Sequence, residues 1–152
     1  MPNPRPDYFE DYEAGQIFRS ASIEVTDASI AAFLVYDPQV FHRPETAAST
    51  AFGRVIASGW QTAAFTMRLM VDAGVLPPSG GLGVTAERMR WGRPVYPGDS
   101  LSITAVVESL RAAKATPNGF VRFRVVTKNQ HDREVLRMTT MAMVQRRAEP
   151  RA

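Results

Sequence analysis

Hydrophobic and polar residues alternate along several stretches of the second half of the chain. Leu101, Ile103, Ala105 and Val107 interleave with Ser102, Thr104 and Glu108. Val121, Phe123 and Val125 interleave with Arg122 and Arg124, and Leu136, Met138, Ala142 and Val144 continue the series. A period of two predicts strands with one covered face and one wet face. Leu82–Trp91 is a further strand candidate, and Pro97-Gly98-Asp99, Pro117-Asn118-Gly119 and the polar run 129–132 supply the turns between them.

The first half reads differently. Residues 17–25 predict one strand, with Ile17, Ala21, Ile23 and Val25 on one face and Ser20, Ser22 and Glu24 on the other. Thr26 fits a helix N-cap with Asp27 at the positive helix end, and Ile30, Phe33 and Leu34 follow at helical spacing. That helix must stop by Asp37, because Pro38 disfavours helical geometry in the residue before it. Pro44 can open a second short helix over 45–51. A longer helix runs from Gly59 to a C′ glycine at Gly74, with Trp60, Ala63, Ala64, Met67, Met70 and Val71 as its apolar stripe. Phe65 and Leu69 widen the stripe, and Gln61, Arg68 and Asp72 leave a thin polar edge, so the pattern predicts a helix buried on most sides.

One long apolar helix and one mainly antiparallel sheet must cover each other. The expected architecture is α+β, a single domain over residues 8–147, with a curved sheet wrapped around one central helix. Residues 1–7 and 148–152 read as flexible tails. Length agrees with one domain: 152 residues can bury a core without staples.

Composition removes whole classes of chemistry. The chain has no cysteine, which excludes disulfides, thiolate metal sites and thiol nucleophiles and suits a reducing, cytoplasmic setting. It has no apolar run long enough for a bilayer and no secretory h-region, so no membrane association is expected. The net charge of +3 is spread over scattered arginines rather than a basic stripe, which argues against nucleic acid as a partner. Phosphate loops, metal-ligand clusters and G-x-S-x-G elbows are absent from the sequence, and neither a metal nor a cofactor is expected.

Acid–base candidates are few. His131 lies in a polar hairpin turn and reads as a solvated loop residue. His42 follows Asp37 by five positions in an aperiodic stretch between helices, where a scaffold can hold reactive groups. A carboxylate and an imidazole converging on one water can add it across an activated double bond, one taking a proton and the other delivering one. Gly59 opens the long helix, where an N–H can meet a developing oxyanion. On spacing alone the bland alternatives remain open: Asp37 as a turn cap, His42 as a hydrogen-bonded half-buried histidine, Gly59 as an ordinary first helical residue.

Four segments in order resemble the MaoC-like dehydratase family of hot-dog proteins. They are the run at 8–18, the D-x-x-x-x-H motif from Asp37 to His42, the segment 52–60 leading into the helix, and Pro94-Val95-Tyr96-Pro97-Gly98-Asp99. The resemblance implies a hot-dog fold, assembly as a homodimer or higher homo-oligomer, and reversible hydration of a 2-enoyl-CoA to an (R)-3-hydroxyacyl-CoA. Asp37 and His42 would activate the water and the Gly59 N–H would polarise the thioester. Ser58, Trp60 and Arg93 are the expected substrate contacts, although Arg93 also fits a surface-strand arginine. The chain departs from the family at Ser58, where members often have histidine, and at Arg43-Pro44 after the motif. Two other expectations compete: a hot-dog acyl-CoA thioesterase using Gly59, and a non-catalytic acyl-CoA-binding subunit.

Overall fold

The computed structural model describes residues 4–149, so positions 1–3 and 150–152 of the two expected tails lie outside the described residues. Its strands are β1 (Ile17–Arg19), β2 (Ile23–Glu24), β3 (Leu82–Trp91), β4 (Ser100–Ala112), β5 (Asn118–Lys128) and β6 (Glu134–Gln145). Its helices are α1 (Asp27–Phe33), α2 (Pro44–Ala47) and α3 (Gly59–Asp72), with single 3-10 turns at Phe9–Asp11 and Val40–His42. The strands form one antiparallel sheet in the order β1-β4-β5-β6-β3, with β2 paired to the start of β4. This is the α+β, hot-dog arrangement: a curved sheet around one long helix.

Alternation along β4 and β5 sets the register of the core. Leu101, Ile103, Ala105 and Val107 face inward opposite Val121, Phe123 and Val125, all essentially inaccessible. Val135, Met138, Ala142 and Val144 of β6 extend that layer, and Leu69 and Met70 of α3 close it from the helix side. Burying a large aliphatic or aromatic side chain stabilises by about 1.5–3 kcal/mol.

The ends of the helices follow their sequence signals. Thr26 caps α1 by accepting from Ser29 N, and the Ser29 hydroxyl is within 3.1 Å of Thr26 N in return. α3 ends in a Schellman motif: Val75 N donates to Met70 O at 3.0 Å and Gly74 N to Val71 O at 3.1 Å. Gly74 has φ +69°, a conformation that side-chain-bearing residues adopt at a cost. Tyr96 to Asp99 forms the expected turn around Pro97-Gly98, closed by Asp99 N to Tyr96 O at 3.0 Å.

Four expectations need correction. The strand predicted over 17–25 is broken into β1 and β2, and at the break Ile103 N donates to the Ser20 hydroxyl at 2.9 Å rather than to a main-chain carbonyl. The inward residue of β1 is Phe18, 4% exposed, while Ile17 points out at 40%. The second short helix stops at Ala47 rather than reaching residue 51.

The largest correction concerns α3. Its inner face is Thr62, Thr66, Leu69 and Met70, and Gln61 is also buried. Most of the predicted stripe faces outward instead, with Trp60 62% exposed and Met67 and Val71 also open. Beside it β3 forms one edge of the sheet, with Leu82 and Val84 exposed and a bulge where Arg88 takes φ +52°. The helix is therefore buried on one side of a single chain, not most of the way round.

At the amino end, Pro6 is buried and the Arg5 guanidinium reaches the Leu76 carbonyl at 3.4 Å.

Candidate active site

The chain between α1 and α3 brings Asp37 and His42 together. Pro38 ends helical geometry, the 3-10 turn Val40–His42 reverses the chain, and the imidazole turns inward while the carboxylate stays near the surface. His42 Nε2 lies 3.2 Å from Asp37 Oδ2, with the two side chains 7% and 13% exposed.

The other ring nitrogen decides the protonation chemistry. His42 Nδ1 is 2.7 Å from the Ile56 carbonyl. A carbonyl can only accept, so Nδ1 carries a proton, and in the neutral ring Nε2 presents its lone pair towards Asp37. A proton arriving at Nε2 makes an imidazolium that donates to the carboxylate. Nε2 is thus the position where this pair can hold or release a proton.

Asp37 is itself surrounded by donors. The Ser58 hydroxyl donates to Oδ2 at 2.6 Å and the Gln39 amide to Oδ1 at 2.7 Å. The Ser58 hydroxyl above all, then Gln39 and the adjacent imidazole, hold the Asp37 carboxyl below the usual carboxylate range against the opposing effect of burial. The carboxylate is consequently an anion at neutral pH, suited to accept a proton rather than to give one.

Ser58 has a second task. As N-cap of α3 its oxygen accepts from Trp60 N at 3.2 Å. The same hydroxyl that caps the helix therefore orients Asp37, and Ser58 stands as a support of the carboxylate rather than on the cavity wall. Gly59 follows at the first helical position, where its N–H has no acceptor inside the helix. It lines a cavity of about 290 Å3 together with Phe52, Ile56, Thr62, Trp91 and Val95.

Asp37 and His42 do not line that cavity. They adjoin it through Ile56, whose carbonyl holds His42, and through Ser58, the neighbour of Gly59. The absence of a side chain at Gly59 has a local cause as well. A Cβ there would lie 2.8 Å from Trp91 Nε1, which donates to the Gly59 carbonyl at 2.7 Å. Trp60 packs edge-on against Trp91, with ring centroids 5.2 Å apart, and leaves most of its surface exposed. Arg93 is exposed on the cavity rim, and His131 is exposed in the β5–β6 turn. Among the described residues no group of His, Asp or Glu converges as a metal site would require.

Sequence reasoning missed two supports of the pair. Gln39 was visible as an amide two residues from the aspartate. The Ile56 carbonyl has no side-chain signal, since any residue there supplies the same oxygen.

The family model for the MaoC like domain matches residues 11–129. The chain belongs to the MaoC-like dehydratase family. A MaoC-like dehydratase from Rhodospirillum rubrum is 37% identical, with a TM-score of 0.85 over 93% of this chain and 99% of that one. The uncharacterized protein YdeM of Bacillus subtilis is 30% identical over 140 residues, 90% of this chain and 98% of its own. The R-hydratase PhaJ1 of Pseudomonas aeruginosa shares the fold, with a TM-score of 0.75 over 95% of this chain and 92% of that chain at 23% identity. Within this MaoC-like chain no helix among the described residues is long and apolar enough to cross a membrane.

Proposed function

We propose that this MaoC-like protein is a hydratase that adds water reversibly to a 2-enoyl-CoA to give an (R)-3-hydroxyacyl-CoA. The observation that carries the reading is the Asp37–His42 contact, with Nδ1 tied to a main-chain carbonyl and the carboxylate kept anionic by Ser58 and Gln39.

In the hydration direction a water beside the pair loses a proton to the Asp37 carboxylate, and its oxygen bonds to C3 of the enoyl group. The displaced π electrons move through C2 onto the thioester oxygen, where the Gly59 N–H and the helix dipole favour the negative charge. An imidazolium proton at His42 Nε2 passes to C2, and the proton held by Asp37 returns the pair to its starting state. Dehydration is the same sequence reversed.

The outward face of α3 and the free edge of β3 support a homodimer. Trp60, Met67 and Val71 of α3 and Leu82 and Val84 of β3 are apolar side chains open to water. A second copy would pair the unpaired edge of β3 and cover the helix.

Loss of enoyl absorbance on crotonyl-CoA tests the reading. Wild-type protein turns it over, and Asp37→Asn and His42→Ala abolish turnover while retaining the fold by circular dichroism. Retained hydration in both variants would sink the assignment, and release of free CoA with the double bond intact would identify a thioesterase instead.

A further inference from the structure

A groove of about 540 Å3 next to the cavity is lined by four arginines, Arg90, Arg93, Arg133 and Arg137, against two acids, Asp132 and Glu134. Gly92 and Arg93 belong to both walls, so the groove and the Gly59 cavity adjoin at these two residues.

The two acids are already committed. Glu134 accepts from the Arg137 guanidinium at 2.7 Å, and Asp132 lies 2.8 Å from Lys128 Nζ. Arg90, Arg93 and Arg133 are exposed and have no carboxylate within ion-pair distance among the described residues. Arg90 also sits directly opposite Arg137 in the β3–β6 register. Like charges facing each other across strands destabilise the sheet, and an anion between them reverses that cost.

A second groove on the other side of Arg93 is less suited to an anion. Its Arg54 lies 3.7 Å over the Tyr96 ring, and it contains the Asp99 carboxylate.

We infer that the groove between Arg90, Arg93, Arg133 and Arg137 is a phosphate site for the carrier end of the substrate, the pyrophosphate and 3′-phosphate of coenzyme A. The inference rests on the enoyl-thioester reading and adds to it the means of recognising the carrier. Arginine suits phosphate oxygens because its planar donors can bind two of them at once. Arg93, at the junction, would meet the pyrophosphate where the pantetheine arm leaves the cavity, and Arg90 and Arg133 would meet the nucleotide end.

The test compares wild type with the Arg90→Ala/Arg133→Ala double variant. Adenosine 3′,5′-bisphosphate, titrated calorimetrically, binds wild type and binds the double variant about tenfold more weakly, as expected for two partly screened ion pairs. Binding to wild type also weakens steeply as salt is raised. The ratio of kcat/KM for crotonyl-CoA to that for crotonyl-pantetheine falls about tenfold in the double variant, carried by KM. Equal nucleotide affinity in the two proteins, no affinity in wild type, or an unchanged ratio overturns the inference. Failure of wild type to hydrate either thioester sinks the hydratase reading instead, and the calorimetry still decides the groove.

Discussion

Replacing Ser58 by alanine separates the two tasks of its hydroxyl. The variant removes the 2.6 Å donation to Asp37 Oδ2 and the acceptor for Trp60 N. Loss of the helix cap costs about 1 kcal/mol, which lowers the melting midpoint by about 2–4 °C for a chain of this size. Loss of a hydrogen bond to a charged group costs about 1.5–3 kcal/mol, and kcat/KM falls by up to about a hundredfold as the unheld carboxylate loses its aim at the water.

The sign of the pH effect follows from the cause of the shift. Ser58 is the main group holding the Asp37 carboxyl below its ordinary range, so its removal moves that group upward. Rate on crotonyl-CoA is lost as pH falls and the base becomes protonated, so the acid limb of the pH–rate profile moves to higher pH. The stability that Asp37 contributes through its depressed ionisation is present above the unfolded carboxylate range and lost as pH falls through the folded value. In Ser58→Ala part of that acid-side stability is absent. Ser58→Thr keeps a hydroxyl and restores the limb. A drop in melting midpoint with an unmoved acid limb would refute the coupling and leave Ser58 as a cap alone.

Three further outcomes follow from the geometry. The Thr66 hydroxyl donates to Thr62 O at 2.9 Å, so in its 2.6 Å contact with Thr127 the latter is the donor. Thr66→Val therefore strands a buried hydroxyl and costs about 1–3 kcal/mol in urea unfolding, whereas Thr127→Val strands none and costs less; the reverse order would contradict the assignment. Gly59→Ala places a methyl against the Trp91 indole and costs about 1–3 kcal/mol, with altered tryptophan fluorescence; wild-type stability and emission would show that Trp91 moves away freely. Met67→Glu charges the outward face of α3, and sedimentation should then report a monomer where wild type is a dimer; an unchanged assembly would remove that face from the interface.

The sheet was legible because its core strands obey a period of two with few exceptions, and the helix ends because Thr26 and Gly74 carry their own chemistry. The orientation of α3 was not. Counting apolar residues points Trp60, Met67 and Val71 inward, yet the face against the sheet includes Thr62 and Thr66. Threonine hides a core position in such a count, because its hydroxyl is satisfied by the helix's own carbonyls: Thr62 and Thr66 bond to Ser58 O and Thr62 O. The residues left outside are those the proposed homodimer would cover, and periodicity alone does not distinguish burial within a chain from burial between chains. Residue type and spacing made Asp37 and His42 candidates and the resemblance to the family gave them their expected role, but their supports lie in the backbone at Ile56, in the Ser58 cap and in the Gln39 amide.

That arrangement explains how a short surface loop can hold an acid–base pair in register with a helix. Ile56 fixes the imidazole through its carbonyl, Ser58 fixes the carboxylate through its hydroxyl, and Gly59 opens the helix and lines the cavity. All three lie on one stretch of four consecutive residues, which the main chain anchors further by Ile56 N to Phe41 O at 3.1 Å and Ala57 N to Val95 O at 2.8 Å. The 37–42 loop is therefore tied to that stretch: displacing it displaces the partners of Asp37 and His42 together with the Gly59 N–H proposed as oxyanion donor. Preorganisation of this kind lowers a barrier because the dipoles are already aimed before charge develops. Within the loop itself Gln39 completes the hold on the pair, its amide donating to Asp37 Oδ1 at 2.7 Å.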